Sequence, residues 1–526
     1  MTRSMDIRSL LEVVATNSGP RLAVWDEHRA LTFAELVESS RAIARAVAAC
    51  TPPAARVAIL SQNRTEYVEM LLGVPSSGRI LTLLNYRLAK PELVRILRDS
   101  GSEVLVAERE YLDTARALRA SVPELHTVVV VGAADEGAED LGAGEVAFAD
   151  WIASGTVVDD ASITVDAYDG ALLIYTSGTT GVPKGALLSH HNLIMSMSGW
   201  AIASGTRLGR EVALVPFPMC HIAGAGAIGN CLTGTTMIVR RAYDPEDFMA
   251  TVERFGVTVS NFAPTMLDAL LRHPKFGQYD LSSIHKISYG AAAMPPELLR
   301  RVSVAFPGAE FTQGFGQTET TAAICCLDAQ AHREALAGND RLLSTVGRPT
   351  PFSAVRIVDA SMIDVAPGQV GEIVVRGENV MLGYWRRPEA DEDAFRGGWL
   401  HTGDLGRWVE GGYIELVDRL KDMIITGGEN VYSREVENVI AELAGVAEVA
   451  VVGVPDPQWG ENVCACVVRE AGAAVTADEI VDWCREQLAG FKKPKLVVFV
   501  DELPKNVSGK VLKRDLRDAM TRAETP

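Results

Sequence analysis

The chain has 526 residues, more than one compact core usually contains, so several folding units are expected. Hydrophobic residues make up 48% of it and charged residues 22%, as in an ordinary soluble globular protein. The formal net charge of -18 disfavours a nonspecific nucleic-acid or anionic-membrane surface, although a local loop of an acidic protein can still bind a small anion.

The cysteines and the chain ends favour an intracellular location. The eight cysteines form neither a secreted disulfide framework nor a CxxC zinc motif. Cys464 and Cys466 are expected to face one side of a strand as small hydrophobic residues. The N-terminus has no signal-peptide core, no run is long enough to span a bilayer, and the C-terminus carries no targeting signal. The expected location is the cytoplasm.

Helical and strand patterns alternate along the first two thirds of the chain. Helical spacing covers residues 31–50 and 65–78, and ARVAIL (55–60) between them predicts a strand. SEVLVAE (102–108) and HTVVVVG (126–132) predict short buried strands. This alternation indicates α/β layers around a largely parallel sheet.

The pattern changes twice toward the C-terminus. From about residue 340, AVRIVD and GEIVVRG are joined by turn residues, which predicts a β-rich subdomain. Later, a helix after Ser433, a strand VAEVAVVGV and a helix with a capping box at Thr476 and Glu479 predict a compact unit of about a hundred residues. We place the domain boundary near Lys421, giving domains 1–420 and 421–526.

A polar, glycine-rich loop, TSGTTGVPKG (176–185), lies between the strand ALLIY and a helix that Ser189 could cap. Glycine N–H groups, hydroxyls and Lys184 are suited to binding an anion. The spacing differs from the Walker pattern GxxxxGK[ST]. The residues alone therefore favour a mobile anion-binding loop over a plain flexible connection.

Six further segments follow this loop in order. They are PFPMCHIAG (216–224), SYGAAAMP (288–295), GFGQTET (314–320), GWLHTGD (398–404), DRLKDMIITGGENVYSREVE (418–437) and LPKNVSGKVLKR (503–514). With YTSGTTGVPKG they resemble the motif series of the adenylate-forming superfamily of acyl-CoA synthetases, luciferases and peptide-synthetase adenylation domains. The resemblance covers most of the chain. It implies an α/β fold: a large N-terminal domain of several subdomains, with parallel-type sheets and a β-rich subdomain, and a small mobile α+β C-terminal domain.

The resemblance also implies a nucleotide site. In the family, the glycine-rich loop holds the β- and γ-phosphates of ATP, Glu319 binds Mg²⁺, and Asp404 and Arg419 contact the ribose. Phe315 departs from the usual tyrosine, and its ring can still stack on adenine. The implied nucleotide-binding residues are Thr176, Ser177, Gly178, Thr179, Thr180, Lys184, Gly290, Ala291, Gly314, Phe315, Gly316, Thr318, Asp404 and Arg419.

The remaining roles concern catalysis and coenzyme A. Lys510 resembles the catalytic lysine, whose ammonium offsets the repulsion between the substrate carboxylate and the α-phosphate. With it, the implied catalytic residues are His221 and Glu319. Lys421 resembles the hinge about which the C-terminal domain rotates. Small residues suit a narrow channel, and the implied lining of the pantetheine tunnel is Gly427, Gly428 and Glu429.

These roles imply an ATP-dependent carboxylic acid:CoA ligase that forms an acyl-adenylate and then a thioester. His221 gates the acyl pocket, with a role as base for the thiol ranked lower. The expected pocket residues are His221, Ala223, Ala227 and Gly290. The alanines and the glycine are small, so the pocket is expected to be roomy and apolar, with no charge to pair a second carboxylate or an amine. Such a pocket favours a bulky or extended hydrophobic acid, either a medium- or long-chain fatty acid, an aryl-propenoic acid or a steroid-derived acid. Acetate and amino acids are disfavoured.

Two other functions stay open. One is an adenylating enzyme that passes the acyl group to a carrier protein or, as in luciferases, to oxygen. The other is a non-catalytic nucleotide-binding relative, which predicts damaged catalytic positions, whereas Lys184, Glu319, Asp404 and Lys510 are present. The substrates expected are a small-molecule carboxylic acid, ATP with Mg²⁺, and coenzyme A, without nucleic acid. The oligomeric state stays open, a homodimer included.

Overall fold

The computed structural model describes residues 5–132, 140–176, 183–290, 292, 294–427, 429–505 and 511–524. The chain divides into two compact units, which are Met1–Val355 with Val375–Leu400, and Arg356–Val374 with His401–Pro526. The predicted boundary near Lys421 falls inside the second unit, so the assignment of domains 1–420 and 421–526 stays a prediction.

Helices and strands alternate along the chain, as the spacing of apolar residues predicts. The helices are α1 (Ile7–Ser18), α2 (Phe33–Cys50), α3 (Thr65–Gly73), α4 (Lys90–Ser100), α5 (Leu112–Ser121), α6 (Phe148–Ser154), α7 (His190–Ala203), α8 (Gly226–Thr233), α9 (Pro245–Phe255), α10 (Pro264–Arg272), α11 (Pro296–Ala305), α12 (Ala329–Leu336), α13 (Pro388–Ala394), α14 (Ser433–Ala441), α15 (Ala477–Gln487) and α16 (Lys513–Glu524).

The strands are grouped below by sheet. They are β1 (Leu22–Trp25), β2 (Ala30–Thr32), β3 (Arg56–Leu60), β4 (Ile80–Leu83), β5 (Val104–Glu108), β6 (Thr127–Val131), β7 (Glu145–Ala147), β8 (Gly170–Thr176), β9 (Lys184–Ser189), β10 (Val212–Val215), β11 (Thr236–Val239), β12 (Val259–Phe262), β13 (Lys286–Gly290), β14 (Glu310–Gln317), β15 (Ala322–Leu327), β16 (Arg348–Pro349), β17 (Ser353–Val358), β18 (Gly371–Gly377), β19 (Gly383–Tyr384), β20 (Leu400–Val409), β21 (Tyr413–Arg419), β22 (Ile424–Thr426), β23 (Glu429–Val431), β24 (Val446–Asp456), β25 (Gly460–Arg469) and β26 (Leu496–Phe499).

The first unit contains two large sheets. One has eight strands in the order β19-β9-β8-β4-β3-β5-β6-β7, and the other has nine in the order β16-β15-β14-β13-β12-β10-β11-β1-β2. In the first sheet, the strands in the order β8-β4-β3-β5-β6-β7 all pair in parallel. In the second sheet, the strands in the order β14-β13-β12-β10-β11-β1 do the same. Strands such as β5 are buried along their whole length, as a sheet covered on both faces requires. The predicted α/β class is confirmed.

One local prediction about the glycine-rich loop is wrong. The sequence suggested a strand, the loop and then a helix, but Lys184–Ser189 forms strand β9, antiparallel to β8, before helix α7 begins. The loop therefore connects two paired strands. Ser189 does cap α7, because its side chain accepts from the Asn192 N–H in a capping box.

The second unit has a four-stranded sheet, β17-β18-β20-β21, followed by the sheet β23-β22-β25-β24, in which β26 also pairs with β25. The predicted helix after Ser433 is α14, and the Thr476–Glu479 capping box begins α15. Cys464 and Cys466 lie buried in β25, as expected for small hydrophobic residues. Within the described residues, no helix is both long and apolar enough to cross a membrane.

Two buried histidines of the first unit make its stability depend on pH. Burial lowers the pKa of both His190 and His332 from 6.5 to about 4. Between these values the unfolded chain binds protons that the folded chain does not bind. The free energy of unfolding should therefore fall as the pH is lowered from about 6.5 toward 4, by up to about 1.4 kcal/mol per pH unit for each site.

The unfolding midpoint between about pH 7.5 and about pH 4.5 measures this effect. His332→Gln should lower the pH slope, because one titrating ring is lost from the unfolded chain. The control is His28→Gln, at an exposed position, which should keep the slope of the wild type. An unchanged slope in His332→Gln contradicts the prediction.

Candidate active site

The two ends of the glycine-rich loop meet in the first unit. Thr176, the last residue of β8, is the pairing partner of Lys184, the first residue of β9. The Thr176 hydroxyl lies 3.4 Å from the Lys184 carbonyl oxygen and 3.4 Å from Glu319 Oε1. Three predicted phosphate- and metal-site residues are thus brought together. The predicted residues Ser177, Gly178, Thr179 and Thr180 lie outside the described part of the chain.

Glu319 is fixed by a neighbouring aromatic segment. It occupies a short 3-10 turn, Thr318–Thr320, directly after β14. The Tyr384 hydroxyl donates to Glu319 Oε1 at 2.9 Å, and the Met381 N–H donates to the Glu319 carbonyl oxygen at 2.9 Å. The Lys184 ammonium lies 5.0 Å from the centre of the Tyr384 ring. A lysine, a glutamate and a tyrosine therefore share one corner of the first unit.

Close packing explains the predicted nucleotide-binding glycines of β13 and β14. Gly290 and Gly314 are partners in β13 and β14, and a Cβ on Gly290 would lie 2.8 Å from the Gly314 oxygen. A Cβ on Gly316 would lie 1.8 Å from the Ala322 oxygen, so no side chain fits there. Phe315 sits at the irregular step of the β14–β15 pair. The predicted residue Ala291 lies outside the described residues.

His221 is oriented by an asparagine that sequence reasoning missed. Asn85 Oδ1 accepts the N–H of Arg87 at 3.0 Å, so the amide nitrogen faces His221 Nε2 at 3.4 Å. Nε2 therefore accepts, and the proton of the neutral ring is on Nδ1. Burial first, and then the charge of Arg87, lowers the pKa of His221. The ring is held neutral, with its basic nitrogen already engaged.

The other expected acyl-pocket residues differ in exposure. Ala223 is exposed in the short turn after His221, whereas Ala227 is a residue of α8 and is buried in the hydrophobic core. Gly290 is half-buried at the end of β13. The role of these residues in binding an acid stays a prediction.

The two predicted ribose residues form an ion pair in the second unit. Asp404 and Arg419 are pairing partners on β20 and β21, and Arg419 Nε lies 2.6 Å from Asp404 Oδ1. The carboxylate of Asp404 is 5% exposed and the Arg419 side chain 35%. The arginine thus orients the carboxylate, and the arginine side chain is the more solvent-exposed of the two.

The predicted hinge residue follows β21 immediately. Lys421 is exposed in the 3-10 turn Leu420–Asp422, and its carbonyl oxygen accepts from Arg517 at 3.5 Å. Just before it, the carboxylate of Asp418 accepts from the Ser433 hydroxyl at 2.9 Å and from the Arg434 N–H at 3.4 Å. Asp418 therefore caps the first turn of α14 from another segment of the chain.

An exposed tryptophan accompanies the GGEN segment. The Gly427 N–H donates to the Trp459 oxygen at 2.7 Å, and a Cβ on Gly427 would lie 2.8 Å from the Trp459 ring. Gly427 also has a φ of 61°, which favours glycine. The Lys495 ammonium lies 4.3 Å from the Trp459 ring centre. Glu429 is exposed in β23, and Gly428 lies outside the described residues.

Lys510, the predicted catalytic lysine, also lies outside the described part of the chain. The described residues on either side of it contact each other. Lys505 and Val511 pair as an antiparallel bridge, and the Leu512 N–H donates to the Pro504 oxygen at 2.8 Å. Lys505 itself lies 2.7 Å from Glu448. Residues 504–505 and 511–512 therefore lie side by side in the second unit.

The residues near Glu319 fit a magnesium ion that is shared with phosphate. Both hydroxyl contacts of this glutamate, from Thr176 and Tyr384, engage Oε1, so neither occupies Oε2. Among the described residues there is no group of three or more His, Cys, Asp or Glu side chains that could hold a metal ion. Mg²⁺ is commonly bound through one or two carboxylates together with phosphate oxygens and water, which is the set this site can offer.

Tyr384, Asn85 and Trp459 are the neighbours that sequence reasoning missed. Each lies outside the residues singled out from the motifs. Tyr384 follows Gly383 and precedes Trp385, and a short aromatic run of this kind carries no signal for a contact 65 residues away. Only the pairing of β19 with β9 brings Tyr384 to the site.

Comparison with known proteins gives two family matches. The model of the AMP-binding enzymes matches residues 11–385, and that of the AMP-binding enzyme C-terminal domain matches residues 435–510. A feruloyl-CoA synthase from Amycolatopsis sp is 40% identical over 494 residues, covering 93% of this chain and 94% of the relative.

Two further proteins differ in the acceptor that their names state. The fatty acid–acyl-carrier-protein ligase ScoC from Streptomyces coeruleorubidus is 36% identical over 502 residues, covering 94% of this chain and 93% of the relative. The solved structure of the amide bond synthetase McbA from Marinactinospora thermotolerans is 30% identical, with a TM-score of 0.85, covering 98% of this chain and 100% of that one.

Proposed function

The chain belongs to the AMP-binding enzyme family, and from this premise we propose that it is an ATP-dependent carboxylic acid:CoA ligase. The observation that carries the proposal is the grouping of Thr176, Lys184 and Glu319 at the ends of the glycine-rich loop. A hydroxyl, an ammonium and a carboxylate at one corner are the groups that a metal-bound triphosphate requires.

In the first half-reaction, the substrate carboxylate attacks the α-phosphorus of ATP, which releases pyrophosphate and leaves an acyl-adenylate. Thr176 and Lys184 bind the β- and γ-phosphates, and Asp404 with Arg419 binds the ribose. The ammonium of Lys510 stabilises the negative charge that gathers between the carboxylate and the phosphate. Glu319 would hold Mg²⁺, which would supply positive charge against the phosphates.

In the second half-reaction, the thiol of coenzyme A attacks the acyl carbon and AMP leaves. Gly427, Gly428 and Glu429 line the path of the pantetheine arm. Trp459 and Lys495 beside Gly427 support this proposal, because an exposed ring and an ammonium suit a nucleotide with phosphate groups. His221 acts as a gate: with Nε2 engaged by Asn85 and its pKa lowered, it is poorly placed to take the proton of the thiol.

For the acid, we propose an aryl-propenoic acid as the first substrate class, ahead of fatty acids and steroid-derived acids. The name of the feruloyl-CoA synthase, 40% identical over 93% of this chain, supports this order. The small uncharged residues expected at the pocket, Ala223, Ala227 and Gly290, are compatible with a flat, bulky acid. They offer no partner for an ammonium or a second carboxylate.

The test is a panel of acids in an assay of pyrophosphate release, with and without coenzyme A, and with mass spectrometry of the products. Ferulic and coumaric acids should give acyl-CoA and AMP, with higher kcat/KM than octanoic, palmitic or steroid-derived acids. Acetate and amino acids should stay inactive. Pyrophosphate release without any acyl-CoA product contradicts the proposed ligase.

A second acceptor deserves its own arm of the experiment, because ScoC, 36% identical to this chain, is named as a ligase to a carrier protein. A purified holo acyl-carrier protein replaces coenzyme A in the same assay. Acylation of the carrier protein without acyl-CoA formation would identify the alternative adenylating enzyme, whereas AMP formation with neither acceptor acylated would point to water or oxygen.

A further inference from the structure

Tyr384 contacts both charged residues of the proposed phosphate site. Its hydroxyl donates to Glu319 Oε1 at 2.9 Å, and its ring lies under the Lys184 ammonium, 5.0 Å from the ring centre. One side chain thus joins the predicted metal ligand to the predicted phosphate-binding lysine. Neither the anion-loop chemistry nor the proposed reaction assigns a role to this tyrosine.

The backbone holds Tyr384 firmly in this place. Its Cα pairs with that of Ala186 across strands β19 and β9, and its N–H donates to Asp391 Oδ1 at 2.7 Å. The next residue, Trp385, donates its N–H to the Gly185 oxygen at 2.7 Å. Tyr384 is therefore attached to the same strand that carries Lys184, and the two side chains keep their separation.

The same short segment also fixes Glu319. The Met381 N–H donates to the carbonyl oxygen of Glu319 at 2.9 Å, while Tyr384 holds the carboxylate. A carboxylate held at its main chain and at one oxygen has little freedom to rotate. Among the described residues, the Tyr384 and Thr176 hydroxyls both engage Oε1, and we assign the second oxygen, Oε2, to the cation.

The chemistry of the phenol suits this role. A tyrosine hydroxyl can donate a hydrogen bond, and here it donates to the Glu319 carboxylate. The aromatic face attracts the Lys184 ammonium and so holds it in place for an incoming phosphate group.

We propose that Tyr384 is a positioning residue that holds Glu319 and Lys184 ready for magnesium and the triphosphate before the nucleotide binds. The inference rests on the proposed function, because that function assigns the phosphates to Lys184 and the metal to Glu319. It adds that the two parts of one side chain have different roles. The hydroxyl orients Glu319 for the metal, and the ring positions Lys184 for the phosphate.

The experiment measures equilibrium binding of ATP by calorimetry, without any acid, over a range of Mg²⁺ concentrations and in EDTA. Tyr384→Phe removes the hydroxyl and keeps the ring. The Mg²⁺ concentration that half-saturates the enhancement of ATP binding should rise about tenfold, the usual effect of losing a group that orients a metal ligand. ATP affinity in EDTA should stay as in the wild type. Tyr384→Leu should weaken ATP binding in EDTA as well.

The matched control is Tyr243→Phe, which also removes a half-buried tyrosine hydroxyl that donates a hydrogen bond, here to the Met266 oxygen. It should leave both binding measurements unchanged. Thermal melting reports whether each variant is folded, and if Tyr384→Leu fails to fold, the phenylalanine variant alone decides the metal half of the proposal.

The outcomes separate this inference from the proposed function. A wild-type protein that shows no magnesium-dependent ATP binding overturns both. A wild type that binds ATP with magnesium, together with a folded Tyr384→Phe whose magnesium dependence is unchanged, overturns the positioning role alone. A shift of equal size in Tyr243→Phe also overturns it, because the effect would then follow from a general loss of stability.

Discussion

Replacing Lys510 by alanine is expected to abolish pyrophosphate release from ATP and acid, with a loss of at least about a hundredfold in rate. The substrate carboxylate and the α-phosphate are both negative, and in the proposed reaction the ammonium of Lys510 is the cation placed between them. Reaction of coenzyme A with pre-made acyl-adenylate should continue at close to the wild-type rate, because that step starts from an uncharged acyl carbon.

Lys505→Ala is the matched control, since it removes a lysine five positions away whose ammonium is engaged by Glu448 at 2.7 Å. It should leave both half-reactions nearly intact. Each half-reaction is measured separately, the first by pyrophosphate release and the second by AMP release from synthetic acyl-adenylate. Normal adenylation by Lys510→Ala would remove this lysine from the mechanism.

Replacing Lys421 by proline is expected to impair thioester formation more than adenylation, by about a hundredfold in the second half-reaction. Proline fixes φ near −65° and restricts the preceding residue, Leu420, so a hinge at this position would lose its freedom to turn. The carbonyl oxygen that accepts from Arg517 is retained in the variant. Single-turnover kinetics measure the rate loss in each half-reaction, and the prediction requires a larger loss in thioester formation than in adenylation.

Lys421→Ala separates the backbone effect from loss of the ammonium, because alanine keeps both backbone dihedral angles free. It should affect the two half-reactions little and equally. If Lys421→Pro slows both half-reactions by the same factor, the pivot lies elsewhere or the substitution merely destabilises the second unit. A melting curve of the proline variant distinguishes these two explanations.

Local sequence patterns predicted the elements of the fold well. The capping box at Thr476 and Glu479 begins α15, and Ser189 caps α7, because these signals involve residues only three positions apart. The valine-rich run 127–131 forms a buried strand. Strand β9 was not predicted, because six residues between a polar loop and a capping serine carry too little periodicity, and its pairing with β8 decides its conformation.

In the candidate site too, local sequence patterns identify some residues, and long-range contacts determine the others. The order of the motifs identifies Lys184, Glu319 and Asp404 from the sequence alone. Their neighbours could not be named, because the Tyr384–Glu319 bond spans 65 residues and the Asn85–His221 contact spans 136. Such contacts depend on which strands pair and in which register, and the chain gives no local sign of either.

The hydrogen bonds of Asp418 make it possible to measure how often a hinge at Lys421 opens. The Asp418 carboxylate accepts from the Ser433 hydroxyl and from the Arg434 N–H. Asp418 precedes Lys421 in the chain, whereas Ser433 and Arg434 follow Lys421. If the residues after Lys421 turn as a body, these bonds must open at every turn. Tyr432, the residue that precedes α14, provides no side-chain cap of its own. The hydrogen-exchange rate of the Arg434 amide would then follow the opening frequency of the hinge, and a nucleotide that arrests the hinge would slow that one amide.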